Sequence, residues 1–114
     1  MSSTKVLVTG SSGYLGSQTV VALAQRPELT VIALDVREPG TRLPGVIYEV
    51  ADIRATEVDA IVARHGPEVI VHLASIVTPG KSSARNFEYD VVVNGTRNLL
   101  QACVRHSVRR IMVS

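Results

Sequence analysis

Cysteine is almost absent from this 114-residue chain, which holds Cys103 alone. One thiol excludes an intramolecular disulfide and any metal site built from several cysteines, so no metal is expected, and it fits a reducing compartment. Concentrated charge of one sign is absent too: the formal net charge is +2, and Arg109-Arg110 is the one place where Lys or Arg residues adjoin. Nucleic-acid binding draws on a clustered basic patch or stripe, so no nucleic-acid partner is expected. No apolar run approaches the roughly 18 residues of a membrane span. Met1-Ser2-Ser3-Thr4 leads directly into an apolar segment with no charged leader before it. Neither a secretory signal nor a membrane partner is expected, and the cytoplasm is the expected location. Repeats, linkers and low-complexity segments are also missing. At 46% hydrophobic residues, the chain has material for one domain with a core.

What the chain does have is a three-glycine turn, Thr9-Gly10-Ser11-Ser12-Gly13-Tyr14-Leu15-Gly16, entered from Lys5-Val6-Leu7-Val8 and left into Ser17-Gln18-Thr19-Val20-Val21-Ala22-Leu23. A β-branched run, then glycines, then a helix-competent segment is the strand-turn-helix that opens a nucleotide-binding βαβ unit. Gly10 allows the tight turn, Gly13 allows close approach of a pyrophosphate, and Gly16 is expected to let the helix pack on the strands. The helix start offers free N–H groups and the positive end of its dipole to phosphates. No Gly-Lys-Ser/Thr follows, which argues against a nucleoside-triphosphate P-loop.

The rest of the chain alternates. Arg26-Pro27 closes the first helix, and Thr30 to Asp35 forms a second strand, near-continuously apolar as a strand buried on both faces should be. Asp35 lies 19 residues past Gly16, at the offset where a carboxylate meets the adenosine ribose of a dinucleotide. Aspartates at strand ends also serve turns; beside the glycine turn, the ribose reading is favoured. Residues 38–45 read as a polar surface connection, Val46 to Val50 as a third strand, and Thr56 onward as a helix with Val58, Ile61 and Val62 on one face, closed by Gly66-Pro67. His65 reads as a helix-end residue. Val69 to Ser75 is a fourth strand, Ile76 to Asn86 a loop, and Phe87 to His106 a long helix whose apolar face holds Leu99, Leu100, Cys103 and Val104. Cys103 is expected in the core. Arg110 to Ser114 starts a fifth strand. The alternation predicts an α/β, Rossmann-type doubly wound parallel sheet of order 3-2-1-4-5.

These segments together resemble the N-terminal part of the extended short-chain dehydrogenases/reductases, the NAD-dependent epimerase/dehydratase family. The match rests on the glycine turn, Asp35, Asp52-Ile53, His72-Leu73-Ala74-Ser75 and Asn94-Gly95-Thr96-Arg97-Asn98-Leu99-Leu100. The resemblance implies that Tyr14 and Leu15 present N–H groups to the pyrophosphate and that Asp35 holds the adenosine ribose. It also implies that Asp52 and Ile53 border the adenine, with the Asp52 carboxylate accepting from its amino group. Leu73, Ala74 and Ser75 would line the path to the nicotinamide ribose. Ser12, Val36 and Arg37 complete the candidate cofactor set with Gly10, Gly13 and Gly16. Asp52 has an alternative reading as a helix N-terminal acid, and His72 is read as a satisfied core histidine. Where the family often has Asn in Asn-Val-x-Gly-Thr, this chain has Val92.

The family's acid-base chemistry is carried by a Tyr-x-x-x-Lys pair and by a Ser or Thr past the fifth strand. Tyr14, Tyr48 and Tyr89 are followed four residues on by Gln18, Asp52 and Val93, so none supplies the pair, and no catalytic residue is assigned. The expectation is therefore that residues 1–114 are the NAD(P)-binding Rossmann domain at the N-terminal side of a longer parent, inactive alone. The parent would be an NAD-dependent oxidoreductase or sugar-nucleotide epimerase or dehydratase. NAD is expected over NADP because Asp35 places negative charge where a 2′-phosphate would sit, although Arg37 can pair with that phosphate. A small-molecule substrate of the parent and a homo-oligomer are expected; in residues 1–114 alone the fifth strand is an apolar edge that either self-associates or is covered by a remaining part of the parent chain. A non-catalytic dinucleotide sensor of the same superfamily is the alternative. An S-adenosylmethionine module shares the turn and the acid, but the glycine spacing and His72-Leu73-Ala74 weigh against it.

Overall fold

The computed structural model describes residues 3–73 and 93–113. Its elements run β1 (Thr4–Thr9), α1 (Tyr14–Ala24), β2 (Leu29–Asp35), β3 (Ile47–Val50), α2 (Glu57–His65), β4 (Val69–His72), α3 (Gly95–Arg105) and β5 (Arg110–Val113). The strands pair in parallel in the order β3-β2-β1-β4-β5. The order reverses direction beside β1, and the cleft at such a switch point is where open α/β sheets bind ligands.

The apolar run of each inner strand divides between two faces. Leu7, Ile32, Leu34 and Ile70 pack under α2 (Val58, Ile61, Val62) and α3 (Leu99, Ala102, Cys103). Val6, Val8, Val31 and Ala33 pack under Val20 of α1, with Leu23 partly buried beside it. Helices on both sides explain why β1 and β2 read as continuous apolar runs rather than alternating ones. The connection between β2 and β3 does more than cross the surface. Leu43 and Val46 are half-buried against the α1-side core, and the Tyr48 hydroxyl accepts the Leu43 N–H at 2.8 Å.

α2 ends as expected: Gly66 takes a left-handed conformation (φ 59°) and its N–H closes on the Val62 carbonyl at 2.9 Å. The apolar face of α3 differs from expectation. Leu99 and Cys103 are in the core, but Leu100 and Val104 are 41% and 83% exposed. Successive helical residues lie about 100° apart, so 100 and 104 form a second stripe that turns away from the sheet. The long helix is described only from residue 93. Its earlier residues, the loop before it, Val92, the expected fourth-strand residues Ala74 and Ser75, and Ser114 lie outside the described residues.

Candidate functional site

Parallel pairing brings the C-terminal ends of the strands to one edge. Thr9 sits opposite Leu34 and His72, and Asp35 opposite Val50. The glycine turn therefore emerges beside Asp35-Val36-Arg37, with Asp52-Ile53 and Leu73 on the flanking strand ends.

The turn itself is built from its glycines. Gly10 adopts φ 71°, a left-handed value that a side chain disfavours. Its carbonyl accepts the Gly13 N–H at 3.1 Å. A Cβ on Gly16 would overlap that same carbonyl, with its carbon at 2.7 Å and Ser11 Cα at 3.0 Å. Gly16 thus lets α1 pack on the turn, whereas the sequence reading placed that contact on the strands. Gly13 is different. Its backbone is extended (φ −75°, ψ 173°), and a Cβ there would meet just the Gly10 oxygen at an ordinary 3.4 Å. The protein's own packing leaves room for a side chain at 13, so the bare backbone there fits a close-approaching ligand. No side chain caps α1, and its first turn carries no acid. The positive end of the helix is left for an anion.

Asp35 locks this turn to β2. Its Oδ2 accepts the Ser12 N–H at 2.8 Å and its Oδ1 accepts the Arg37 N–H at 3.1 Å. The Ser11 N–H donates to the Leu34 carbonyl at 3.2 Å. On the other side, the Ala51 N–H donates to the Asp35 carbonyl at 3.0 Å, which ties the end of β3 to the same point. Val36 beyond it is 60% exposed, and Tyr14 and Leu15 flank the turn at 83% and 54%. These apolar side chains stand at the surface beside the turn rather than in the core.

Asp52 does not cap α2, whose N-cap is Thr56. Its carboxylate instead folds over the next two residues. Oδ1 accepts from the Arg54 N–H and Nε at 2.9 and 3.0 Å, and Oδ2 from the Arg54 guanidinium at 2.7 Å. Those hydrogen bonds hold the Asp52 carboxyl below the usual carboxylate range, against the opposing effect of partial burial.

The core reading of His72 holds. It is 3% exposed, with Nδ1 at 2.7 Å from Thr9 Oγ1 and Nε2 at 2.9 Å from Thr96 Oγ1. Burial pushes the imidazole below its ordinary value, which keeps it neutral. Leu73 is fixed beside it, its N–H donating to Thr9 Oγ1 at 3.0 Å. Burial also pushes the Cys103 thiol up, as suits a core residue rather than a nucleophile. His65 is placed at the helix end as read, and it also meets Glu49 Oε2 at 2.5 Å. Among the described residues no group of His, Cys, Asp or Glu could hold a metal ion.

Three contributors escaped the sequence reading. Thr9, a hydroxyl at the end of an apolar strand just before the first glycine, joins β1 to His72 and Leu73. Arg54 orients Asp52. Asn98 donates to the carbonyls of Ile53 and Ala55 at 2.9 and 2.8 Å.

The model of the NAD dependent epimerase/dehydratase family matches residues 6–114. A UDP-glucose 4-epimerase of Halalkalibacterium halodurans is 35% identical over 113 residues, covering 96% of this chain and 34% of that protein. The structure of the Thermus thermophilus UDP-glucose 4-epimerase in complex with NAD superimposes with a TM-score of 0.84 at 31% identity, covering 94% of this chain and 36% of that one. A monomeric L-threonine 3-dehydrogenase from a metagenome superimposes at 0.80 with 29% identity, over 92% of this chain and 34% of that one. The chain thus spans about a third of the length of these relatives. The sheet order, the glycine turn and a family match over nearly every residue agree: the chain belongs to the NAD-dependent epimerase/dehydratase family.

Proposed function

We propose that this chain is the NAD-binding portion of an epimerase, dehydratase or related oxidoreductase that acts on a hydroxyl or carbonyl substrate such as a nucleotide sugar. The observation that carries the reading is the joint between turn and strand, where the Asp35 carboxylate holds the Ser12 N–H beside an uncapped helix start. An acceptor for ribose hydroxyls and a donor set for phosphate are thereby fixed side by side.

In this reading Gly10, Ser12, Gly13 and Gly16 shape the pyrophosphate cradle, and the N–H groups of Tyr14 and Leu15 donate to it. Asp35 accepts from the adenosine ribose, with Val36 and Arg37 alongside. Asp52 and Ile53 border the adenine, and Leu73 leads toward the nicotinamide ribose, a role the family resemblance extends to Ala74 and Ser75, which lie outside the described residues. A nicotinamide held there would supply the hydride acceptor for oxidation of a substrate hydroxyl. The chain's own residues bind and orient; no residue among those described is assigned a proton-transfer role. Asp35, held here by backbone N–H groups, favours NAD over NADP. The relatives include both an epimerase and a dehydrogenase, so the family alone leaves the substrate class open.

No helix of the described residues is long and apolar enough to cross a membrane. We place the protein in the cytoplasm, as a homo-oligomer. The test is calorimetric titration of the full-length protein with NAD, NADP and ADP, with size-exclusion chromatography alongside. NAD binding at one site per chain, tighter than NADP, is expected. Absence of NAD binding would remove the reading. Turnover of a hydroxyl substrate separates an enzyme from a sensor.

A further inference from the structure

The turn after β3 is clasped from α3. One nitrogen of the Asn98 amide donates to both the Ile53 and Ala55 carbonyls, at 2.9 and 2.8 Å, which uses both of its hydrogens. Two carbonyl partners also fix which way the amide faces, because its oxygen could not take that place. Nearly one helical turn earlier, Gly95 lies against Ile53; a Cβ at 95 would come within 2.5 Å of Ile53 Cγ2. Ile53 itself is 6% exposed and belongs to the core. Within the turn, the Ala55 N–H closes on the Asp52 carbonyl at 2.8 Å, and Arg54 grips the Asp52 carboxylate through backbone and guanidinium. A continuous chain of contacts therefore runs from α3, through the backbone of residues 53–55, to the direction of one carboxylate.

We propose that Asn98 is a positioning residue for base recognition: by pinning the Ile53 and Ala55 carbonyls it holds the Asp52 carboxylate where it accepts the amino group of an adenine. This rests on the reading of Asp52 as the adenine acceptor given above. A turn ordered in advance from the far side needs no ordering when the cofactor arrives, so its hydrogen bond adds fully to selectivity. A turn released from Asn98 keeps Asp52 in the cleft but lets it swing away.

The test compares NAD with nicotinamide hypoxanthine dinucleotide, which carries a carbonyl in place of the adenine amino group. Affinities of the full-length protein for both are measured by calorimetry. A hydrogen bond to a charged acceptor predicts that wild type prefers NAD by about tenfold or more. Asn98→Ala is expected to shrink that ratio toward one, by weakening NAD far more than the analogue. Gly95→Ala, which pushes on the Ile53 side chain from one turn earlier on the same helix, is expected to do the same and serves if Asn98→Ala does not fold. Val104→Ala, on the exposed stripe of the same helix, should leave the ratio at the wild-type value. Folded variants at 95 and 98 that lose affinity for both dinucleotides equally would overturn the proposal and leave the cofactor reading standing. A wild type that binds both equally would overturn the role of Asp52 and this proposal with it. A wild type that binds neither would overturn the cofactor reading itself.

Discussion

Two alanine substitutions three residues apart should have opposite consequences. In Gly16→Ala the new methyl lies inside the Gly10 carbonyl, with the carbonyl carbon at 2.7 Å. Ordinary carbon contacts lie at about 3.5–4.0 Å, so the turn or the helix must yield by nearly an ångström. The obstruction is backbone and cannot rotate away. Overpacking of this kind costs about 1–3 kcal/mol or more, while replacing glycine inside a helix returns about 1 kcal/mol. Because the clash is with backbone, the cost lies at the upper end of that range, and a net loss of about 2 kcal/mol lowers Tm by roughly 4–8 °C in a full-length protein longer than this domain. In Gly13→Ala the methyl meets the Gly10 oxygen at 3.4 Å from an extended backbone. Alanine is a poorer N-cap by about 0.5–1 kcal/mol, and the loss of glycine's freedom in the unfolded chain offsets about 0.4–1 kcal/mol. Stability should hold within a few degrees. Affinity for NAD should fall at least about tenfold, because the methyl occupies the approach of the pyrophosphate. Thermal melts by circular dichroism and calorimetric titration of both full-length variants separate the effects. A Gly13→Ala protein that melts early but binds normally would show that residue 13 serves the fold and refute the cradle.

Other perturbations probe the remaining parts. His72 has its ordinary value near 6.5 lowered by burial, so the unfolded chain takes up a proton before the folded one does. Its contribution to stability is full above about pH 6.5 and is lost as pH falls toward the folded value, by at most about 1.4 kcal/mol per pH unit; urea titrations of wild type and His72→Gln between pH 5 and 8 should diverge in slope there, and parallel curves would contradict a buried neutral imidazole. Ser107 holds φ 56° at the end of α3, so Ser107→Gly should stabilise by about 0.5–1 kcal/mol, and a lower Tm would show that the left-handed turn is not strained. Asp35→Asn should narrow the preference for NAD over NADP, measured as a ratio of affinities, and an unchanged ratio would remove Asp35 from cofactor discrimination.

Much of the architecture was legible because it is written locally. Continuous β-branched runs marked the inner strands, glycines marked the turn and the end of α2, and Asp35 stood where its offset from Gly16 placed it. What escaped is written between distant elements. Thr9 and His72 are 63 residues apart, and Asn98 reaches Ile53 across 45; no periodicity encodes such a pairing, since each side chain is ordinary in its own segment. The faces of α3 failed for a related reason. Leu99, Leu100, Cys103 and Val104 span a broad arc, and which edge of that arc meets the sheet depends on how the helix docks, which Gly95 against Ile53 helps decide. Gly16 was found as a close-packing glycine, but its partner, the turn itself, follows from the backbone path and not from composition.

The two strand-end carboxylates of the cleft show how one residue type is given two electrostatic characters. Asp35 accepts from backbone N–H groups of Ser12 and Arg37, which orient it without cancelling its charge. Asp52 accepts from the guanidinium of Arg54, which lies on it at 2.7 Å and neutralises it locally. A like charge brought within about 4 Å of Asp35 is opposed by roughly 1–4 kcal/mol, depending on how far solvent screens the pair. The same charge near Asp52 would meet a balanced pair and little net field. On the proposed reading, discrimination by charge would belong at Asp35, where a 2′-phosphate would fall, and discrimination by hydrogen-bond pattern at Asp52, where a neutral base edge would lie. The partners suit that division: backbone dipoles leave the charge of Asp35 to be felt, and the Arg54 counter-charge leaves geometry to be read at Asp52.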